Sequence, residues 1–142
     1  MEVATEQNQA SSLSLDEGFV YWANTFLDGS IVRCPLLGCP GPPTVLVAHQ
    51  RRPMVPIADG KNLFWMNIVD EANHLGPRAA VMRCPIEACA SATETMAVQA
   101  FSTDGMSMAM DRSDVYWVAQ GTEELPMMGG YYPHATIYRR AK

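Results

Sequence analysis

The chain has 142 residues, of which 48% are hydrophobic and 18% charged, and its net charge is −5. This length suits one ordinary domain with enough apolar side chains for a core. The ten Lys and Arg residues are scattered, so the sequence lacks the basic cluster that binding to nucleic acid or an anionic membrane requires. No run approaches the roughly 18 consecutive apolar residues of a membrane span, and residues 1–9 are polar and acidic, unlike a signal peptide.

Ten Gly and ten Pro residues separate short runs of β-forming residues, and helical apolar periodicity is missing. This pattern predicts an all-β fold. We expect one repeat domain over residues 1–142, in which the end of a preceding strand and a loop (1–10) lead into three copies of one unit, at about 11–48, 53–98 and 105–140.

Three aromatic tripeptides mark the copies: Val20-Tyr21-Trp22, Leu63-Phe64-Trp65 and Val115-Tyr116-Trp117. Each Trp follows an aspartate by six residues, and the aspartates are Asp16, Asp59 and Asp111. Further upstream stands a valine, at Val3, Val47 and Val98. Such a fixed period is the signature of stacked repeats.

Each copy predicts a series of short antiparallel strands. The first strand is an alternating run before the aspartate, such as Leu13–Leu15, and the second strand carries the tripeptide. The third strand runs into the first cysteine, as in Ile31–Cys34, and the fourth strand follows, as in Thr44–Val47. The three Trp side chains are expected to pack between neighbouring units, with a stacking platform for a ligand as the alternative. The aspartates are expected to form turns.

The first copy contains the motifs D-x-x-x-V-Y-W-x-N and G-S-I-V-R-C-P-L-x-G-C. They resemble the Tyr-Trp and Cys-containing tandem repeats of bacterial secreted or lipoprotein-type β-propellers, over nearly the whole chain from Val3 to Arg139. The third copy departs from the pattern, with Arg140 where a cysteine is expected. The resemblance implies a partial β-propeller of about three four-stranded blades.

A closed propeller needs about four to eight blades. We therefore expect the chain to be a fragment of a longer protein, or two copies to complete a six-bladed ring as a homodimer. An open fan of three sheets is the third option, and its exposed edges and apolar faces would favour aggregation.

Two cysteine pairs, Cys34/Cys39 and Cys84/Cys89, each flank four residues that begin with Pro. A hairpin-like connection can bring such Cα atoms to disulfide distance, so a disulfide in each pair is the main expectation. Reduced buried thiols and a metal site are the alternatives, although zinc sites favour a shorter spacing. Disulfides would place the protein outside the cytosol, in an extracellular or periplasmic compartment.

Ten methionines include Met106, Met108 and Met110, which alternate along one strand. Thioethers can bind Cu(I), but gap filling in a core is the expected role. The three histidines, His49, His74 and His134, fall in different parts of the repeat and are expected in loops.

No familiar catalytic motif occurs in the sequence. We expect a non-enzymatic scaffold or binding module without a cofactor or metal, whose partner is an unknown protein or small molecule. The candidate binding residues lie in two long loops: Asn73, His74, Glu123, Glu124, Tyr131 and Tyr132. The alternatives are a hydrolase or lyase on a propeller, and a metal or redox protein that uses the Met and Cys residues.

Overall fold

The computed structural model describes residues 2–70, 78–100, 106–120 and 135–142. The first sheet contains β1 (Ala10–Asp16), β2 (Phe19–Asn24), β3 (Gly29–Pro35) and β4 (Thr44–Gln50). The second contains β5 (Pro53–Ala58), β6 (Asn62–Asp70), β7 (Arg78–Pro85) and β8 (Glu94–Ala100). The third contains β9 (Met108–Met110), β10 (Asp114–Gln120) and β11 (Ala135–Ala141).

Within each sheet, strands that are consecutive in the sequence pair antiparallel with one another. The prediction of an all-β fold with antiparallel sheets is therefore confirmed. The first two sheets have four strands, and the third has three in the described part of the chain. None of these sheets closes on itself, and the described residues hold no helix long and apolar enough to cross a membrane.

The three Trp residues occupy the same place in their sheets. Each lies on the second strand, and the residues opposite on the third strand are Val32, Met82 and Tyr138. Two positions before each Trp, the third-strand partners are Cys34, Cys84 and Arg140. The register of β10 with β11 thus repeats that of the two earlier sheets.

The valines upstream of the second and third aspartates, Val47 and Val98, do not occupy equivalent register positions in their sheets. Val47 lies opposite Ile31, which pairs with Ala23, one residue after Trp22. Val98 lies opposite Ala80, and Ala80 pairs with a residue two positions after Trp65. Consistent with this one-residue offset, Val47 is buried and Val98 is exposed.

Side chains alternate between the two faces of a strand, so each sheet has a Trp face and a Tyr/Phe face. The Trp faces carry Val20 and Trp22, Leu63 and Trp65, and Val115 and Trp117. The Tyr/Phe faces carry Tyr21 and Ala23, Phe64 and Met66, and Tyr116 and Val118.

The core lies between successive sheets. The Tyr/Phe face of the first sheet packs against the Trp face of the second, in one cluster with Tyr21, Ile31 and Trp65. The Tyr/Phe face of the second sheet packs in the same manner against the Trp face of the third, in a cluster with Phe64 and Trp117. One orientation of stacking is therefore used twice.

Gly29 permits the close approach of the first two sheets. A Cβ atom at this position would lie 2.5 Å from Cδ of Pro53, at the start of β5, and 2.4 Å from the carbonyl oxygen of Asn24. Because one of these neighbours is backbone, any larger residue would force the strand itself to shift.

Candidate functional site: an apolar groove on the first sheet

The Trp face of the first sheet forms an open apolar groove with a volume of about 390 Å³. Trp22 and Val20 are buried at its floor, whereas Leu13 and Leu15 in its wall are 75% and 68% exposed. Leu15 lies directly opposite Val20 in the register of β1 and β2, which places both side chains on the groove side. Two exposed leucines beside a buried tryptophan form a surface that is suited to apolar contact with another molecule.

The segment from Val3 to Gln7 forms the other wall of the groove. Its Val3 carbonyl accepts a hydrogen bond of 3.3 Å from the backbone N–H of Cys39. The Gln7 Oε1 atom accepts hydrogen bonds from the Trp22 indole at 3.1 Å and from the Asn24 amide at 3.3 Å. A glutamine thus fixes the orientation of the floor tryptophan.

The same link recurs at both sheet-to-sheet boundaries. Gln50, at the end of β4, accepts from the Trp65 indole at 3.3 Å and from the Asn67 amide at 2.8 Å. Gln99, in β8, accepts from the Trp117 indole at 2.9 Å. Each buried Trp is therefore held by a glutamine that precedes its sheet in the sequence.

The sequence pattern does not reveal these glutamines, because they lie 15, 15 and 18 residues before their Trp. A bulge in β4 further obscures the pattern. His49 has a φ of 56°. Val47 and Gln50 are three positions apart, whereas their partners Ile31 and Gly29 are two positions apart. The bulge places Gln50 opposite Gly29, just as Gln99 lies opposite Ala79. The detectable signal is the pair formed by a Gln 15 residues before Trp and an Asn two residues after it.

Backbone conformation repeats along with the link. Three pairs of residues share a positive φ at a separation of 43 residues: Glu6 (58°) with His49 (56°), Gln9 (52°) with Arg52 (45°), and Ser12 (53°) with Val55 (51°). Trp22 and Trp65 are also 43 residues apart. Residues 6–12 thus repeat the positive-φ positions found in residues 49–55.

Both cysteine pairs lie at disulfide distance, as predicted. The Cα atoms of Cys34 and Cys39 are 5.2 Å apart, and those of Cys84 and Cys89 are 4.9 Å apart. In the third sheet, Arg140 stands in the place of the first cysteine. Its guanidinium donates a hydrogen bond to the Met96 carbonyl of β8. A contact between the second and third sheets therefore stands where the first two sheets have a cysteine pair.

Two of the repeated aspartates accept backbone hydrogen bonds in tight turns. Asp59 Oδ1 accepts from the N–H of Lys61 and of Asn62, at 3.1 and 2.7 Å. Its Oδ2 atom lies 3.0 Å from Lys142 Nζ, an ion pair between the second and third sheets. Burial would raise the pKa of Asp59, but the hydrogen bond from Asn62 and the Lys142 ammonium outweigh it and hold the pKa below its usual value.

Asp111 makes the equivalent turn before β10. Its Oδ1 atom accepts from the N–H of Ser113 and of Asp114, both at 2.8 Å, and its Oδ2 atom accepts from the Tyr116 hydroxyl at 2.8 Å. The two backbone donors and then the hydroxyl hold the pKa of Asp111 far below its usual value. The same contact with Asp111 raises the pKa of Tyr116. Asp16 lies at the corresponding turn of the first sheet, where it pairs with Phe19.

The predicted binding residues lie outside the described part of the chain: Asn73, His74, Glu123, Glu124, Tyr131 and Tyr132. His134 lies there too, whereas His49 is exposed and its Nδ1 atom is 2.9 Å from Asp28. The alternating methionines pack in the core between the second and third sheets, with Met108 buried and Met106 and Met110 partly buried. Among the described residues, no group of three or more His, Cys, Asp or Glu could hold a metal ion.

Comparisons of the chain with protein-family models, with curated proteins and with solved structures found no match.

Proposed function

We propose that this chain is a non-enzymatic β-propeller-like scaffold or binding module. The observation that carries the proposal is the repeated boundary, in which a Trp face receives a Tyr/Phe face and a glutamine binds the Trp indole. Sheets that stack in one repeated orientation are the construction principle of propeller blades.

The structural roles of the reactive side chains favour a scaffold over a hydrolase, a lyase, a metal-binding protein or a redox protein. The four cysteines are paired, Asp59 and Asp111 cap turns, and Met108 lies in the core. These residues therefore stabilise the fold in the described part of the chain. The cysteine pairs also support a place in an oxidising compartment, as part of a secreted or cell-envelope protein.

In this proposal the partner, a protein or a small molecule, contacts the long loops that carry Asn73, His74, Glu123, Glu124, Tyr131 and Tyr132. Binding residues commonly lie on loops that a rigid framework positions. The loops can then vary without cost to the stacked sheets.

The test replaces Asn73 and His74 together by Ala, with Leu37→Ala, an exposed position near the first disulfide, as a matched surface control. Both variants should unfold within about 0.5 kcal/mol of the parent protein, since substitutions away from packed features cost little. Each protein is then used as bait under identical conditions, and a partner held by the parent and the control should be lost from the loop variant. If the loop variant unfolds, the loop is structural and the proposal fails.

A further inference from the structure

The segment Val3–Gln7 precedes the first sheet, carries the glutamine that binds Trp22, and lies outside every sheet of the described chain. Glu6 shares its positive φ with His49, and Gln7 shares with Gln50 the hydrogen bond to a tryptophan. Gln50 pairs with the third strand of its own sheet, opposite Gly29. No described strand pairs with the segment Val3–Gln7 in this way.

Strand β11 is a third strand to which the described residues add no fourth strand. In the described part of the chain it pairs only with β10, and all seven of its residues are exposed. The position in β11 that corresponds to Gly29 and Ala79 is Ala135, three residues before the partner of Trp117. All three positions hold small residues, which leaves room beside them for the glutamine.

We propose that two copies of this chain associate head to tail, with residues 4–7 of one copy pairing along the outer edge of β11 in the other. The repeat register places Gln7 opposite Ala135 and Ala4 opposite Ile137, as Gln50 and Val47 lie opposite Gly29 and Ile31. Addition of a strand to an open sheet edge is a common mode of protein association.

This pairing brings two apolar surfaces together. The Tyr/Phe face of the third sheet carries the half-buried Val118 and, opposite it, Ile137, which is 74% exposed. The groove of the first sheet offers Leu13 and Leu15 around the buried Trp22. Ala4 already packs in the groove cluster with Trp22, on the side that the added third sheet would cover.

The occupant is a second copy because the two open surfaces correspond to surfaces that pack together within one chain. The Tyr/Phe face of the third sheet and the Trp face of the first sheet are the same kinds of face that meet between successive sheets. Tyr21 and Ala23 of the first sheet pack toward the Trp65 cluster, and Tyr116 and Val118 hold the same positions in the third sheet. Two copies bring six sheets, within the four to eight of closed propellers. The inference rests on the proposed propeller-like stacking, and it requires a head-to-tail contact that closes after two copies.

The first measurement is the solution mass of the parent protein by light scattering after gel filtration, over a series of concentrations. We expect twice the 15.6 kDa of one chain. Leu15→Asp should raise the dissociation constant roughly tenfold or more, because the carboxylate would be buried in an apolar contact. Leu37→Asp is the matched control: this leucine is 90% exposed and does not line the groove, so the variant should remain a dimer.

The second measurement needs no substitution. Amide hydrogen exchange of a peptide that covers β11 should slow as the parent protein is concentrated through its dissociation constant. A monomer at every concentration would overturn the proposal, as would larger assemblies, or a dimer in which β11 exchanges as fast as in the monomer. A monomer that keeps the cooperative unfolding of the stacked sheets would refute the association alone and leave the proposed scaffold standing.

Discussion

Replacement of Gln50 by Met tests the polar link between the first and second sheets. Methionine keeps the length of the side chain but offers no oxygen to the Asn67 amide, now 2.8 Å from Gln50 Oε1. The Trp65 indole loses one acceptor and keeps the other, Asn67 Oδ1 at 3.0 Å. The substitution therefore removes chiefly one part-buried hydrogen bond.

The expected cost follows from the burial of the group left without its acceptor. An unsatisfied buried donor costs about 1–3 kcal/mol, and Asn67 is 8% exposed. Gln50 itself is half-buried, so water can partly replace its oxygen and the lower half of that range applies, about 1–2 kcal/mol. At roughly 3 °C per kcal/mol for a chain of this size, the midpoint of thermal unfolding should fall by about 3–6 °C.

The assay is urea and thermal unfolding followed by near-ultraviolet circular dichroism. Gln9→Met is the control, because Gln9 is exposed and forms no part of the Trp link. Asn67→Leu provides a double-mutant cycle, in which the combined cost should differ from the sum of the two separate costs, because both residues accept from the Trp65 indole. Equal stability of Gln50→Met and the control, or strict additivity with Asn67→Leu, would refute the role assigned to Gln50.

Two further predictions concern the disulfides and the turns. Replacing Cys84 and Cys89 by Ser should lower the free energy of unfolding in urea by about 2 kcal/mol, the entropy of a short closed loop; no loss would show that the pair is not oxidised. Because the folded pKa of Asp111 is lowered, its stabilising contribution is complete above its unfolded pKa of about 3.9 and is lost as the pH falls through the folded pKa. Asp111→Asn should therefore flatten the acid dependence of the unfolding midpoint below about pH 4, and an unchanged acid profile would contradict the turn's contribution.

The fold class was predictable because β-strand alternation and turn residues are local signals. The aromatic tripeptides predicted the second strand of each sheet, because each Trp lies at the same register position relative to the third strand of its sheet. The cysteine pairs were predictable for a similar reason: a connection of four residues already restricts how far apart Cys34 and Cys39 can lie.

The glutamine links were not predictable in the same way. They depend on the bulge at His49 and on the spacing between sheets, neither of which a local pattern specifies. Val47 and Val98 were aligned by residue type, and the bulge shifts them to different positions. The groove itself depends on which faces the sheets turn toward each other, and that is decided only when β5 packs on the first sheet at Gly29.

We infer that each of the three buried tryptophans is held by a glutamine that precedes its sheet in the sequence. Nuclear Overhauser contacts from the three indole N–H protons of labelled protein test it most directly. We expect contacts from Trp22, Trp65 and Trp117 to the side chains of Gln7, Gln50 and Gln99, with indole protons that exchange slowly with solvent. Indole protons that exchange rapidly, or that contact residues in unlike positions of the three sheets, would contradict the claim.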